Sequence, residues 1–215
     1  MVSGFIRYRM FMTAKRRRLT PEDWTEAALE GLDHGGLAAV AVEPLAVRLG
    51  TTKGSFYSHF LNRDALLVAV LTRWEQQSTE ARIAALEAEP DPVARLRLLF
   101  TAASERVGHD RVESNLRAAT EHDLVAPVMR RVMDRRIAYT IGLFEEIGFT
   151  RVESVRRGML GCMAYVGQSE LTARIPGVLP IDDAGGLPAY VTAVLDLLLR
   201  DAPQAPQRRS RPAKR

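Results

Sequence analysis

Six side chains that can donate hydrogen bonds to nucleic acid lie within one stretch of twelve residues. They are Thr52, Lys53, Ser55, Tyr57, His59 and Arg63. Hydroxyl, ammonium, imidazole and guanidinium groups donate to phosphate oxygens and to base edges in the grooves of DNA. Gly54 and Ser55 are small enough for the backbone to approach a base edge, and the three longer side chains after them can reach phosphates. The stretch therefore indicates a DNA-binding surface.

A short helix is predicted just before this stretch. Leu45 and Leu49 are four residues apart, which places them on one face of a helix. Pro44 is tolerated only in a first turn, and Gly50 can end a helix in the left-handed conformation. We therefore expect a helix near residues 43–49.

A second short helix is predicted to carry the six side chains. It begins at Thr51 or Thr52 and must end before Asn62, which can cap the helix that follows. So short a helix is marginal alone, and Phe56 and Phe60, four residues apart, give it an apolar edge for packing. Two short helices across a tight turn form a helix-turn-helix, whose second helix can enter the major groove. The alternative is a helical hairpin in which the tyrosine and histidine only pack.

The segment "VEPLAVRLGTTKGSFYSHFLNRDALLVAVL", within residues 20–71, resembles the N-terminal DNA-binding domain of the TetR family of transcriptional regulators. That family's pattern runs G-[VT]-[ST]-x-G-[ST]-[LF]-Y-x-[HY]-F and then x-[NS]-[KR]-[DE]-x-L, and nearly every position is filled. Pro44 is a mild departure from it. The resemblance implies base or adjacent phosphate contacts by Thr52, Lys53 and Ser55, and backbone anchoring by Tyr57, His59 and Arg63. Phe56 and Phe60 would be core.

The rest of the chain bears only generic similarity to the family's regulatory domain, so its residue pattern must predict the fold. Helix signals occur throughout, from Thr20 as a cap, Pro21 as a first residue and Gly35-Gly36 as a stop, to an apolar helix at 187–199. The fold class we expect is all-α, with about nine helices. The predicted division is a basic arm without fixed structure at 1–18, a helix-turn-helix domain at 19–66, a helical ligand-binding and dimerisation domain at 67–200, and a basic disordered tail at 201–215.

Positive charge is concentrated at the two ends of the chain. Residues 1–18 carry six basic side chains and no acidic one, whereas residues 19–200 carry 19 basic and 25 acidic side chains. Basic ends suit a polyanion such as DNA. For the Pro-rich C-terminal tail, a simple solvated segment is an equal alternative. Translation can also start at Met10 or Met12, just before the KRRR cluster.

Several classes of protein are disfavoured. The sequence has one cysteine, Cys162, and no apolar run long enough for a membrane span, and its start does not have the order of a signal peptide. We therefore expect a cytoplasmic protein with no membrane association. No phosphate-binding loop or nucleophile elbow is present, so we expect no enzyme and no cofactor. His109 and His122 lack a partner at metal-ligand spacing and are interpreted as solvated loop residues, with no metal site.

A small-molecule effector is expected to bind among the central helices. Adaptable thioethers and aromatic rings there can line an apolar cavity, although each can equally be ordinary core. The candidates are Phe100, Met129, Met133, Tyr139, Met159, Met163 and Tyr165.

A homodimer is expected through the last two helices. Gly158, Gly161 and Gly167 interrupt a helix that begins near Thr150, and each costs about 1 kcal/mol relative to alanine. Close approach of a partner helix would explain them, and the broad apolar face of the last helix fits the same interface. The alternative is that both helices close the monomer core.

These expectations combine into one functional prediction. The chain is predicted to be a homodimeric, ligand-responsive transcriptional regulator, a repressor that binds double-stranded DNA at a near-palindromic operator and occludes a promoter. The alternative is a helical protein that binds a small molecule or a partner and does not bind DNA.

Overall fold

The computed structural model describes residues 18–107 and 111–203, and all of the regular structure in these two ranges is helical. The all-α prediction is therefore confirmed. The helices are α1 (Pro21–Ala39), α2 (Val42–Arg48), α3 (Lys53–Tyr57), α4 (Arg63–Glu75), α5 (Ala81–Leu86), α6 (Pro92–Ser104), α7 (Arg111–Ala118), α8 (Val125–Ile147), α9 (Arg151–Arg174) and α10 (Leu187–Leu198). The arm at residues 1–17, His109 and the tail from residue 204 lie outside the described residues.

Helix α1 begins as predicted but ends later. Thr20 and Asp23 form a reciprocal capping box, in which the backbone N–H of Thr20 donates to the Asp23 carboxylate at 2.8 Å. Gly36, which was expected to stop the helix, instead adopts φ 63° and kinks it. The chain then resumes helical structure as far as Ala39.

Helices α4 and α5 form one continuous rod, joined by a π-helical turn at Gln76–Glu80. The sequence predicted a helix capped by Asn62; the rod that begins there continues to Leu86, with Ile83 buried in its last part. Counted this way, the described residues contain nine helical units. A π-helical turn inside a longer helix is rare and commonly marks a functional position.

The larger hydrophobic core contains residues from both sides of the predicted domain boundary at residue 66. It joins Trp24, Leu32 and Phe56 of the N-terminal part to Leu116 of α7 and Met129 of α8. The smaller core lies between α6, α8 and α10. Because α7 and α8 complete the first core, movement in the C-terminal helices can reach the N-terminal ones through packed side chains.

A buried carboxylate ties three helices together. Glu113 on α7 is 1% exposed and accepts from Arg117 at 2.5 Å and from Arg136 of α8 at 2.9 Å. Arg117 also donates to Glu170 of α9 at 2.5 Å. On the same helix, Asn115 donates to the carbonyl of Leu32 in α1 at 2.8 Å. Helix α7 thus contacts both the regulatory helices and the first helix.

Two of the three glycines assigned to a dimer contact are used inside the chain. A Cβ at Gly158 would lie 2.7 Å from the Ile141 side chain, and one at Gly161 would lie 2.5 Å from Phe100. These glycines let α9 approach α8 and α6, which corrects the expectation that they serve a partner subunit. A Cβ at Gly167 would meet nothing within 4 Å in the described chain.

Candidate nucleic-acid interface and internal cavity

The turn between α2 and α3 is fixed by backbone geometry. Gly50 has φ 62°, a left-handed conformation that favours glycine, and the N–H of Thr51 donates to the carbonyl of Ala46 at 2.9 Å. The hydroxyl of Thr52 then accepts from the N–H of Ser55 at 3.3 Å and caps α3. This arrangement is the predicted helix-turn-helix, with α3 as its second helix.

Aromatic packing holds the five-residue helix α3 in place. Phe56 is fully buried, with its ring 5.3 Å from the Trp24 ring of α1 in an edge contact and 5.6 Å from the stacked Phe60 ring. An isolated helix of this length would not be stable in water. The buried phenylalanine is therefore what orients the polar side chains around it.

The polar face of α3 points outward. Thr52, Lys53 and Tyr57 are exposed, and Ser55 and His59 are half-buried. Tyr57 is 55% exposed although its ring lies 5.1 Å from Phe56, so its hydroxyl end is accessible. Five of the six predicted DNA contacts thus lie in or directly beside α3 and are at least partly open to solvent.

Lys53 is paired with an acid that the sequence interpretation overlooked. Its ammonium donates to Glu43 of α2 at 2.7 Å. This hydrogen bond and the attraction between the two charges raise the pKa of Lys53 and lower the pKa of Glu43. Both side chains are well exposed, so the pair can open when a phosphate or base competes for the lysine.

Arg63 makes hydrogen bonds that the sequence did not predict. Its guanidinium donates to the carbonyl of Val40 at 2.7 Å and to the carbonyl of Leu37 at 2.8 Å. It therefore fixes the start of α4 to the end of α1, while its role as a phosphate anchor stays a prediction.

A cavity of about 330 Å³ lies between the π-helical turn, α5, α6, α8 and α9, at the lower end of the range of small-molecule sites. Most of its wall is apolar. The lining residues are Ser78, Thr79, Arg82, Ile83, Ala85, Leu86, Leu98, Leu99, Phe100, Ala102, Ala103, Arg106, Met133, Arg136, Tyr139, Thr140, Gly161, Cys162, Tyr165 and Val166.

Four of the seven predicted ligand residues line this cavity, namely Phe100, Met133, Tyr139 and Tyr165. The other three do not. Met129 is buried in the core that α8 shares with the N-terminal helices. Met159 and Met163 are 45% and 59% exposed, because they lie on the side of α9 opposite Gly161.

Sequence reasoning missed the polar part of the cavity wall. Three arginines reach it, Arg82, Arg106 and Arg136, and none of the described lining residues is acidic. Arg82 and Arg136 lie in helices and Arg106 in the turn after α6, and at each position the charge alone suggests a solvated side chain. Only the packing of α5, α6 and α8 shows that these side chains converge.

Burial in the cavity wall changes the chemistry of two side chains. It raises the pKa of the Cys162 thiol, although a hydrogen bond to Thr140 and the charge of Arg136 act in the opposite direction. It also raises the pKa of the Tyr165 hydroxyl, which the nearby Arg136 and Arg106 lower in part. At neutral pH both groups are therefore protonated and the cysteine is a weak nucleophile.

Three observations on the described part of the chain relate to membrane spans, metal sites and His122. None of its helices combines the length and the apolar character needed to cross a bilayer. It also contains no cluster of three or more side chains suited to a metal ion. The ring of His122 accepts a hydrogen bond from the N–H of Leu124 at 3.2 Å.

Comparison with known proteins agrees with this geometry. Residues 25–70 match the model for bacterial regulatory proteins of the tetR family. No curated protein matches the sequence. Among solved structures, a transcriptional regulator from Rhodococcus sp. Rha1 is 20% identical, with a TM-score of 0.69 over 87% of this chain and 100% of that one.

Two other similar structures contain ligands. AibR in complex with isovaleryl coenzyme A and operator DNA is 14% identical, with a TM-score of 0.59 over 82% of this chain and 96% of that one. FadR from Bacillus subtilis in complex with stearoyl-CoA is 17% identical, with a TM-score of 0.56 over 83% and 97%. These likenesses show a shared fold. The family match is confined to residues 25–70, which contain the helix-turn-helix, so this segment is similar to the DNA-binding domain of tetR-family regulators.

Proposed function

We propose that the chain is a cytoplasmic, ligand-responsive repressor that binds a near-palindromic DNA operator as a homodimer. The observation that carries the proposal is the continuous rod from Arg63 to Leu86. It begins beside the helix-turn-helix and ends as a wall of the cavity. A change in the cavity can therefore alter the position of the DNA-binding helices without any further moving part.

The homodimer is supported by an exposed apolar face on α9 and α10, which we call the α9–α10 face. Met159, Leu160 and Met163 are 45%, 62% and 59% exposed, and Leu197 on α10 is 58% exposed. Large apolar side chains that are exposed on neighbouring helices support an interface between proteins. Two copies joined here would present two α3 helices to one duplex, which a near-palindrome requires.

Replacing Met163 by glutamate is expected to convert the dimer into a monomer, because it would bury two unpaired carboxylates at a symmetric interface. Light scattering after size-exclusion chromatography measures the mass. Val47→Glu is a matched control, since Val47 is 80% exposed on α2, away from the α9–α10 face, and this variant should stay dimeric. A monomeric wild-type protein, or a Met163→Glu variant that remains dimeric, contradicts the proposed interface.

Replacing Glu43 by glutamine is expected to strengthen binding to duplex DNA about two- to fivefold at low salt, because the change frees Lys53 and removes a charge that repels phosphates. Fluorescence anisotropy of a labelled duplex over a salt series measures the effect. Glu146→Gln is the control, because Glu146 pairs with Arg95 at 3.2 Å in the regulatory part of the chain. Weaker binding by Glu43→Gln would mean that the ion pair positions Lys53 for DNA.

Release of DNA is proposed to begin at the π-helical turn. Ser78 and Thr79 lie in this turn and line the cavity. Arg136 of α8 donates to the carbonyl of Ser78 at 3.2 Å and to the Thr79 hydroxyl at 3.1 Å, and its guanidinium lies 5.9 Å from the Trp74 ring. A ligand that displaces Arg136 would loosen the turn, tilt α4 and change the spacing between the two α3 helices. The ligand releases DNA only to the extent that it binds the conformation with the altered α3 spacing more tightly than the conformation that fits the operator.

A further inference from the structure

The chemistry of the cavity restricts its ligand, provided that the cavity is the effector site proposed above. Most of the wall is formed by aliphatic and aromatic side chains, which favour a ligand with an apolar body. Among the described residues that line it, the only charged side chains are the three arginines. A cationic ligand would meet like charge there in a low-dielectric setting, so the wall selects against amines and quaternary ammonium compounds.

The arginines are not equivalent. Arg136 already donates to both oxygens of the Glu113 carboxylate, at 2.9 and 3.0 Å, and to two groups of the π-helical turn. Its charge is therefore compensated within the protein. Arg106, in the turn after α6, differs: its Nε is shielded from solvent and has no hydrogen-bond partner among the residues that the structure describes.

A shielded guanidinium nitrogen without an acceptor is costly, and an acceptor supplied by a ligand removes that cost. Beside Arg106, the protonated hydroxyl of Tyr165 is close enough to feel its charge and can act as a second donor. Tyr165 lies on α9 and Arg106 in the turn after α6, and both side chains line the cavity. Together they can hold one anionic group while the apolar wall holds the remainder of the molecule.

We propose that the effector is an amphipathic anion, with an apolar chain or ring system and one terminal carboxylate or phosphate, and that Arg106 binds the anionic group. Planar guanidinium binds either oxyanion through charge-assisted hydrogen bonds. The inference rests on the proposed function, because it identifies the ligand class of the same cavity. The apolar part of the effector must fit a cavity of about 330 Å³, so the effector is a small molecule.

The test uses four probes with the same eight-carbon chain: octanoate, octyl phosphate, 1-octanol and octylamine. Cys162 is the only cysteine and lines the cavity, so protection of its thiol from alkylation reports occupancy without DNA. Because burial raises the pKa of Cys162, alkylation is slow and is followed at about pH 8.5, where an ordinary thiol is half ionised and both anions are charged. We expect octanoate or octyl phosphate to protect Cys162 at a concentration at least about tenfold lower than 1-octanol does, and octylamine to protect least. The better of the two anions distinguishes a carboxylate from a phosphate ligand.

The matched variants are Arg106→Gln, which removes the charge, and Arg106→Lys, which keeps it. Arg106→Gln should weaken protection by the anions about tenfold and leave 1-octanol unchanged, whereas Arg106→Lys should retain part of the preference. Equal protection by octanoate and 1-octanol in the wild type overturns the inference and leaves the cavity as an effector site. Lack of protection by any probe overturns both. Protection by an anion that leaves DNA affinity unchanged supports the inference and contradicts the proposed response.

Discussion

Replacement of Phe56 by alanine is expected to lower the free energy of unfolding by about 3–5 kcal/mol and to abolish specific DNA binding. The Phe56 ring is fully buried and packs against Trp24 and Phe60, and α3 is too short to keep its helical structure without it. Urea unfolding followed by tryptophan fluorescence measures the stability, and anisotropy of a labelled duplex measures the binding.

The neighbouring Tyr57 provides the matched control. It is 55% exposed, so Tyr57→Ala should cost little stability while still weakening DNA binding. An equal loss of stability in the two variants would contradict the view that Phe56 is the packing residue and Tyr57 the contact residue of α3.

Replacement of Glu113 by alanine is expected to destabilise the protein by about 3–5 kcal/mol, because two arginines would lose their shared buried carboxylate. Glu113 is 1% exposed and lies between Arg117 and Arg136. The same urea titration measures the loss. The affinity of the variant for amphipathic anions should also change, since Arg136 would lose its compensating charge beside the cavity.

An exposed ion pair serves as the control for this effect. Glu145 accepts from Arg151 at 2.8 Å, and their side chains are 40% and 69% exposed. Glu145→Ala should therefore change stability by only about 0–1 kcal/mol. A Glu113→Ala variant as stable as Glu145→Ala would mean that the buried carboxylate does not hold α7 to α8.

The starts of α3 and α4 and the DNA-binding motif were predictable because their signals are local. Thr52 and Asn62 cap α3 and α4 with their own side chains, the latter accepting from the N–H of Ala65 at 2.9 Å. Gly50 adopts the positive φ that its position in the turn requires. Each of these interactions joins residues a few positions apart, so the local pattern of residue types predicts them.

The features that sequence could not predict depend on contacts between distant helices. Arg63 reaches carbonyls more than twenty positions away, and the acid beside Lys53 comes from the preceding helix. Met159 and Met163 were assigned to the cavity because thioethers adapt to an apolar site. Residues 158–167 of α9 form an unbroken apolar run, so periodicity does not tell which side of it faces inward. The π-helical turn follows no glycine or proline, so nothing in the sequence marks it.

The two α3 helices of the proposed homodimer are expected to recognise one specific DNA sequence. Selection of bound duplexes from a random pool tests it most directly, with the wild type and with Lys53→Ala and Tyr57→Phe. We predict that the wild type enriches a near-palindrome whose half-sites lie about one helical turn, 34–36 Å, apart. Lys53→Ala should change the preferred bases, whereas Tyr57→Phe should weaken all sites alike. A pool that shows no enriched sequence after selection with the wild-type dimer would contradict the claim.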